Sequence, residues 1–253
     1  MYTRRFYISN VKTNMMSAER IASFIQKIYT PTSIVDVGSS GGVLLHEFMK
    51  YGINDILGVD GPWISDKDIL IPLKNFRRVD LKKGFSIGRK FDLAICLEVL
   101  EHLDIEAGKL VLRNLTLLSD VVLFSAAIPG QGGTHHINEQ WPVYWVEEFR
   151  KYGFKYIDLR QYLWNDENIL PWYKQNMMMY IKREQYDYFL TKLNKLERLD
   201  PLSYIHPDMT YVSLLGLNED LFFSRLLFSI GKFYTRVIRS YAIIKKSQKA
   251  RNK

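Results

Sequence analysis

The chain has 253 residues, of which 47% are hydrophobic and 25% are charged. These proportions are those of a globular protein, and the length suffices for one full-size domain with a small appendage. The single cysteine, Cys96, excludes an internal disulfide framework and predicts a reducing compartment, the cytoplasm. The first residues, MYTRRFYISN, lack the apolar core of a signal peptide, and no stretch approaches the roughly 18 apolar residues of a transmembrane helix.

The formal net charge of +8 comes from the end of the chain. Residues 221–253 carry nine basic side chains and no acidic one, whereas residues 1–220 hold 26 basic and 27 acidic side chains. In residues 221–253, apolar clusters alternate with basic residues at helical spacing, which predicts an amphipathic helix on an anionic membrane surface. A helix packed on the main domain and a nucleic-acid-binding arm are the alternatives. The neutral body argues against an extended nucleic-acid surface.

The predicted elements alternate between helices and strands. The first is a helix over residues 17–29, which starts with Ser17 as N-cap and ends before Pro31. In chain order there follow a strand over residues 33–38, a helix over 42–52, strands over 55–61, 76–81 and 91–98, a helix over 105–119, a strand over 120–127, a helix over 141–153, and strands over 154–160 and 176–183.

This alternation predicts an α/β fold, a Rossmann-like sheet of seven parallel strands with helices on both faces. Residues 1–183 would form this domain, and residues 184–253 a C-terminal helical extension that ends in the basic amphipathic tail. Sheets of this kind bind ligands at the carboxyl ends of their strands. The polar motifs of the sequence fall at these ends, which predicts a site there.

A glycine-rich turn follows the first predicted strand, because IVDVGSSGGVLL places Gly38, Gly41 and Gly42 around two serines. Glycines let the backbone approach a ligand closely, and helix N-termini offer N–H groups to a carboxylate or phosphate. The next two strands end at Asp60 and Asp80, where acidic residues can bind ribose hydroxyls or an adenine amino group. A tight turn without a ligand is the alternative for each motif, but three such strand ends in series favour a nucleotide-like ligand.

The segments DVGSSGG, GVDG, VDL and FDLAICLEVLEHL resemble the ordered motifs of class I S-adenosylmethionine-dependent methyltransferases. Among these, the chain is most similar to the type 11 and type 12 methyltransferases of small molecules and glycans. The resemblance covers roughly residues 30–183, and it departs from the family at Ser40, which stands at the middle glycine of the usual triplet. It implies that S-adenosyl-L-methionine is the cofactor.

The same resemblance assigns roles to the motifs. Gly38 and its neighbours would pack against the methionine moiety, and Asp36 would orient their loop. Asp60 would bind the ribose, Asp80 the adenine, and Cys96–Leu97 would line the cofactor near its sulfonium. The implied cofactor-binding residues are Asp36, Gly38, Ser39, Gly41, Asp60, Gly61, Asp80, Leu81, Cys96 and Leu97.

The stretch CLEVLEHLD, residues 96–104, places charged residues at the end of an apolar strand. Glu98, Glu101 and His102 stand at offsets 0, +3 and +4, so a helical continuation of the chain would put them on one face. Two close carboxylates repel each other, which raises one pKa, and a divalent cation would relieve that repulsion. Such ligands favour Mg²⁺, Mn²⁺ or Fe²⁺ over Zn²⁺. A purely structural role is the alternative.

A second segment, IPGQGGTHHINEQWPVYWVEEF, follows the fifth predicted strand and carries His135, His136 and Glu139 on a glycine-rich loop. Together the two segments resemble the small-RNA 3′-terminal 2′-O-methyltransferases, and the first segment also resembles the ubiquinone-pathway O-methyltransferases. The resemblance implies a metal site formed by Glu98, Glu101, His102 and His136. His135 is a candidate general base or a bystander, and without a metal either His135 or His136 could remove the acceptor proton.

The predicted acceptor depends on the aromatic second half of the chain. NILPWYKQNMMMYIKR resembles a turn of methyltransferases that are associated with sugar and polysaccharide gene sets, although core packing alone would also explain these aromatics. The sequence therefore predicts O-methylation of a glycan or a glycan-like small molecule. One alternative is an RNA 2′-O-methyltransferase, suggested by the metal cluster and the basic tail. The other is a catalytically silent scaffold subunit.

Overall fold

The computed structural model describes residues 4–196, and their side chains from residue 14 onward. Seven strands in this part form one sheet in the order β3-β2-β1-β4-β5-β7-β6. These strands are β1 (Ser33–Val37), β2 (Asp55–Asp60), β3 (Phe76–Arg78), β4 (Leu93–Leu97), β5 (Val121–Ser125), β6 (Phe154–Asp158) and β7 (Met178–Lys182).

Seven α-helices surround the sheet within the same residues. They are α1 (Arg4–Ile28), α2 (Val43–Met49), α3 (Ile105–Leu118), α4 (Pro142–Arg150), α5 (Arg160–Leu163), α6 (Pro171–Asn176) and α7 (Tyr186–Leu193). Helix α3 begins at a side-chain cap, because Oδ1 of Asp104 accepts a hydrogen bond from the backbone N–H of Ala107 at 2.9 Å. Helices α4 and α6 begin at prolines, whose missing N–H would have no helical partner there.

All the strands and helices predicted between residues 17 and 183 are present, and the predicted Rossmann-like fold with helices on both faces is confirmed. Apart from the start of α1, the predicted boundaries agree with the observed ones within three residues, and two of the differences have a structural consequence. Helix α1 extends back to Arg4, well before the predicted start at Ser17. Strand β3 stops at Arg78, because the carboxylate of Asp80 caps a 3-10 turn over Leu81–Lys83.

Strand β7 corrects the expectation of a wholly parallel sheet. It lies between β5 and β6 and runs antiparallel to both, whereas the other neighbouring strands are parallel. Strand β6 ends at the carboxyl edge of the sheet, and the short helices α5 and α6 follow it directly. The chain therefore re-enters the sheet from the same edge and must run in the opposite direction.

Alternate residues of the central strands face opposite helical layers. In β4, Leu93 and Ile95 pack in the core with α1, α2 and α7, whereas Ala94 and Cys96 pack in the core with α3 and α4. Both faces are thus covered, as the nearly continuous apolar sequence of this strand predicts. The loops after β1, β2, β4 and β5 meet at the carboxyl ends of the parallel strands, which we call the carboxyl edge of the sheet.

The predicted C-terminal extension is described only in its first part. Helix α7 buries Phe189 and Leu193 in the core beside α1. The predicted basic helix over residues 221–253 lies outside the described residues, so its contact with membranes stays a prediction. Among residues 4–196, no helix combines the length and apolarity needed to cross a membrane.

Candidate active site

Three non-glycine residues in the described part of the chain have positive φ, and all three follow strands at the carboxyl edge. Ser40 (φ 51°) lies in the glycine loop after β1, Glu98 (54°) directly follows β4, and His135 (60°) lies in the loop after β5. Side chains rarely tolerate this conformation, and such strain concentrates at functional sites. The carboxyl edge therefore holds the candidate site, as the sequence predicts.

The glycine loop is fixed by β2 and by the chain that follows β4. The backbone N–H of Gly38 donates to the carbonyl oxygen of Val59 at 2.7 Å. Gly38 has a φ of 81°, and a Cβ at this position would overlap Cγ2 of Val99. Gly41 makes a different close approach, because a Cβ there would overlap the carbonyl oxygen of Asp68. At least two glycines of the predicted cofactor loop are thus required by packing within the chain itself.

Asp60 connects the end of β2 to this loop. Its carboxylate accepts hydrogen bonds from the backbone N–H of Ser40 at 2.7 Å and of Gly61 at 2.6 Å. Burial raises the pKa of Asp60 to about 6, although the two N–H donors oppose the rise. Asp36 in β1 is also buried, and burial followed by the charge of Asp60 raises its pKa to about 8. Two interacting carboxyl groups thus lie in the strands that carry the glycine loop.

The other predicted cofactor-binding residues differ in how far their side chains are exposed at the carboxyl edge. Asp80 is exposed, and its Oδ1 accepts a hydrogen bond from the backbone N–H of Lys82 at 3.1 Å. Ser39 is buried, and its Oγ has no hydrogen-bond partner among residues 14–196. The thiol of Cys96 is fully buried in the core with α3 and α4, so a contact with a cofactor would come from its backbone. Leu97 is only partly buried.

Trp63, for which the sequence motifs indicate no role, lies beside the end of β2. Its indole ring packs over Gly61, where a Cβ would overlap three ring atoms. The side chain is nevertheless 57% exposed. A flat aromatic surface therefore stands next to Asp60, and the sequence signal for it is a tryptophan two residues after the glycine in GVDGPW.

After β4 the chain does not continue directly as a helix. The backbone N–H of Glu98 donates to the carbonyl oxygen of Ser125 at 3.0 Å, which keeps this residue paired with β5. Its positive φ then turns the chain into a short 3-10 turn, Leu100–His102, and α3 begins only at Ile105. The condition under which Glu98, Glu101 and His102 would share one helical face is therefore not met, although Glu101 and His102 still lie close together.

Glu98 is instead held by two buried carboxamides from distant parts of the chain. Nε2 of Gln131 donates to its Oε2 at 2.9 Å, and Nδ2 of Asn176 donates to its Oε1 at 3.1 Å. The same Asn176 nitrogen donates to Oε1 of Gln131 at 2.8 Å. Burial, followed by the charge of Glu98, raises the pKa of Tyr173 in α6. Helix α6 therefore contributes Asn176 to the site, and the loop after β5 contributes Gln131. The sequence motifs indicate neither residue.

The structure brings together three of the four predicted metal ligands. One ligand atom each from Glu101, His102 and His136 lies within 4.8 Å of the other two. The rings of His102 and His136 meet edge to face with their centroids 4.8 Å apart. Glu98 does not belong to this group, and His135 is exposed on the loop outside it.

Glu101 and His102 are set up electrostatically for a cation. Glu101 is fully buried, and within residues 14–196 neither of its carboxylate oxygens makes a hydrogen bond of ordinary geometry. Burial, followed by the charge of Glu98, raises the pKa of Glu101 well above its usual range. Burial and the charge of His136 lower the pKa of His102 to about 4, so this imidazole is neutral at pH 7. A buried carboxylate beside a second carboxylate is costly in the protein alone, and a metal ion would satisfy it.

Glu139 organises the loop that carries His136. Its Oε2 accepts a hydrogen bond from the backbone N–H of Gly130 at 2.7 Å, and its Oε1 accepts one from Gly132 at 2.9 Å. Nδ1 of His136 lies 2.9 Å from the same Oε1. The backbone of Gly133 lies against the opposite ring nitrogen, since a Cβ at this position would overlap Nε2.

Solved structures share this architecture. The sugar N-methyltransferase KedS8 from a Streptoalloteichus species is 13% identical with a TM-score of 0.55, and the match covers 72% of this chain and 93% of that one. DesVI from Streptomyces venezuelae is 13% identical with a TM-score of 0.53, over 70% of this chain and 95% of that one. The methyltransferase domain of bacterial CtHen1-C is 18% identical with a TM-score of 0.50, over 67% and 98%.

These similarities show that the chain has the fold of class I S-adenosylmethionine-dependent methyltransferases, as its motifs predict. No protein-family model matches the sequence, and no curated protein matches it.

Proposed function

We propose that this chain is an S-adenosylmethionine-dependent methyltransferase. The observation that carries the proposal is the convergence, at one edge of a class I methyltransferase sheet, of the Asp60-bound glycine loop and the group of Glu101, His102 and His136. In the proposed complex, the loop backbone takes the methionine moiety and Asp60 accepts hydrogen bonds from the ribose. The two carboxylate oxygens of Asp60 keep acceptor capacity beyond the N–H groups that they already bind.

We propose Glu101, His102 and His136 as ligands of a divalent cation. One carboxylate and two imidazoles form a donor set that leaves part of the coordination sphere open, which favours Fe²⁺ or Mn²⁺ over the more oxygen-seeking Mg²⁺. Zn²⁺ also accepts such donors. Glu98, which the sequence predicts as a fourth ligand, is engaged by carboxamides, and we leave it outside the set. A bound cation supplies Lewis-acid chemistry that lowers the pKa of an acceptor hydroxyl.

The proposed acceptor is a hydroxyl in a vicinal diol of a glycan or a glycan-like small molecule. An open coordination sphere suits an acceptor that offers two oxygens. Exposed apolar side chains follow His136 along the chain, namely Ile137, Trp141 and Val143, and a tryptophan face suits a sugar ring. RNA 2′-O-methylation is the second candidate, favoured by the Glu-x-x-Glu-His pattern and the basic tail. The neutral body of residues 1–220 argues against it.

Several residues of the chain have roles in this reaction that do not depend on a cation. The carboxamides of Gln131 and Asn176 hold the Glu98 carboxylate at the end of β4, where it can accept a hydrogen bond from the acceptor. Positioning of this kind lowers the barrier of an in-line methyl transfer. In a metal-free reaction, a histidine would remove the proton. His136 is the better candidate, because it is largely buried and held by Glu139, whereas His135 is exposed.

The test is an untargeted labelling experiment. Purified protein receives methyl-labelled cofactor and a metabolite and macromolecule extract of its host, with and without a chelator, and the products are fractionated. We expect label in the saccharide or small-molecule fraction, its loss with chelator, and its return with Mn²⁺ or Fe²⁺. Label in RNA would favour the second candidate. Absence of label together with absence of S-adenosylhomocysteine binding would indicate a silent scaffold.

We also propose a cytoplasmic location and a peripheral contact with anionic membranes. A cytoplasmic protein is expected from the lone, buried Cys96, whose thiol has no disulfide partner. A peripheral contact with anionic membranes would come from the nine basic side chains of residues 221–253.

A further inference from the structure

We propose that Glu139 is a positioning residue that selects the Nδ1–H tautomer of His136 and so presents Nε2 to the cation. The second half of this statement rests on the proposed metal site. The first half, the tautomer, is a property of the chain alone and can be measured without any metal. The sequence places Glu139 on the loop but does not indicate a role for it.

The tautomer follows from the hydrogen bonds of the Glu139 carboxylate. Both of its oxygens accept backbone N–H groups, from Gly130 and from Gly132. An ionised carboxylate has no proton to donate, so the short contact of 2.9 Å between its Oε1 and Nδ1 of His136 requires the proton on the ring nitrogen. A neutral imidazole carries one N–H, and therefore Nε2 of His136 is left as the nitrogen with an available lone pair.

Burial makes this selection strong. The side chain of His136 is 11% exposed and that of Glu139 is 19% exposed, so water competes little for their hydrogen bond. A hydrogen bond to an ionised acceptor is about twice as strong as a neutral one. The opposite side of the ring borders Gly133, which has no side chain to cover Nε2, and the ring of His102. Because Nδ1 is engaged, Nε2 is the atom that can join Glu101 and His102.

The same carboxylate also fixes the loop itself. Gly130 and Gly132 have positive φ, and the buried side chain of Gln131 between them anchors the turn through its hydrogen bond to Glu98. The hydrogen bonds from both glycines to Glu139 are a second anchor, and they link the loop conformation to the orientation of the His136 ring. Outer partners of this kind typically change metal affinity 10–100-fold when they are removed.

The experiment begins with metal-free, full-length protein in which the five histidines are labelled with ¹⁵N. Long-range ¹H–¹⁵N correlation spectra in the presence of chelator report which ring nitrogen is protonated, and His136→Gln assigns the signals. We expect the Nδ1–H form of His136 in the wild type and a shift toward the Nε2–H form in Glu139→Ala. Mn²⁺ affinity, measured by calorimetry after chelator removal, should fall about 10–100-fold in the same variant. Glu147→Ala, which removes an exposed glutamate of α4, should change neither quantity.

The outcomes separate this inference from the proposed function. An Nε2–H ring in the wild type overturns it, and so does an unchanged Nδ1–H ring in a folded Glu139→Ala protein. If that variant does not fold, Glu139→Met keeps the side-chain volume and is expected to show the same shift. A tautomer that depends on Glu139 in a wild-type protein that binds no Mn²⁺ supports the positioning role and overturns the proposed metal site.

Discussion

The backbone N–H of Ile137 donates to the carbonyl oxygen of Glu101 at 2.8 Å, and the next N–H, of Asn138, reaches the same oxygen at 3.1 Å. The loop that carries His136 is thereby joined through the main chain to the turn that carries Glu101 and His102. Backbone hydrogen bonds therefore bring the two segments with the proposed metal ligands together, and the ligand side chains take no part in these bonds. Substituting a ligand should remove cation binding without separating the two segments.

Glu101→Gln is expected to stabilise the metal-free protein while abolishing its affinity for Mn²⁺. The buried carboxylate of Glu101 makes no hydrogen bond of ordinary geometry among residues 14–196, and the negative charge of Glu98 acts on it. Removing such a charge should raise the free energy of unfolding by about 1–3 kcal/mol at pH 8, as measured by urea titration. Because its pKa is raised in the folded state, Glu101 is protonated in both states at low pH, and the gain should shrink there.

The control for this substitution is Glu106→Gln, which alters an exposed glutamate in the first turn of α3. It should leave both stability and Mn²⁺ affinity close to those of the wild type. A Glu101→Gln protein that is less stable than the wild type at pH 8, without metal, would show that the carboxyl group has a structural partner instead.

Gly133→Ala should weaken Mn²⁺ binding by about 10-fold or more, the scale of a disturbed outer contact. A methyl group at this position would overlap Nε2 of His136 and must displace the ring. Gly132→Ala is the matched control, because it introduces a side chain at positive φ in the same loop but meets no atom within 4 Å. Equal losses in the two variants would mean that backbone strain, and not the overlap with His136, accounts for the effect.

The fold was predictable because most strands are short β-branched or apolar runs, and the first two end at glycine or aspartate. SIVDVG and FDLAIC are read correctly from composition and length alone. The glycine loop and Asp60 could be placed for the same reason, since a ligand site at the strand ends follows from the alternation of elements. The direction of β7 was not predictable, because it depends on the edge of the sheet at which α5 and α6 return the chain to it.

The helical reading of CLEVLEHLD failed because periodicity assumes a regular backbone. One positive φ at Glu98, together with its N–H bond to Ser125, takes the chain out of helical geometry, and the Glu98 carboxylate meets Gln131 and Asn176 instead. The carboxamides that then bind Glu98 lie 33 and 78 residues further along the chain, and no local pattern indicates such contacts. The role of Glu139 was not predictable for a similar reason, because it depends on the loop conformation that brings the N–H groups of Gly130 and Gly132 to its carboxylate.

Asp60→Ala should weaken S-adenosylhomocysteine binding by roughly 1.5–3 kcal/mol in calorimetry, the size of a lost charge-assisted hydrogen bond. The substitution removes the proposed ribose acceptor and also the partner of the Ser40 N–H, so the glycine loop loses one of its anchors. Asp80→Ala should cost less, because Asp80 is exposed and faces water. Failure of the folded wild-type protein to bind S-adenosylhomocysteine would overturn the proposed enzyme.

The basic tail should bring the protein to anionic vesicles in a salt-dependent way. Residues 221–253 carry nine positive charges and no negative one, and surface charges are screened within about 10 Å at 0.1 M salt. Cosedimentation of the full chain with phosphatidylserine vesicles should therefore fall as salt rises, and neutral vesicles should retain little protein. Equal sedimentation of a chain truncated after Asp220 would assign the binding to another surface.

Asp36→Asn should make the cofactor-free protein less sensitive to rising pH. In the folded state, burial and the charge of Asp60 raise the pKa of Asp36 from 3.8 to about 8, so the folded protein holds its proton more tightly than the unfolded chain does. The wild type therefore loses stability from this group as the pH rises from about 4 to about 8, at about 1.4 kcal/mol for each pH unit in that window. An uncharged asparagine has no proton to lose.

The measurement is a series of urea titrations of the wild type and Asp36→Asn between pH 5 and pH 8. The difference in unfolding free energy should move steadily in favour of Asp36→Asn as the pH rises. His102, whose pKa is about 4, is present in both proteins and cancels in that difference, whereas the repulsion between Asp36 and Asp60 is part of it and also favours Asp36→Asn at higher pH. A difference that stays constant across this range would show that Asp36 is already ionised in the folded protein, and that its carboxylate has a donor in the cofactor-free state.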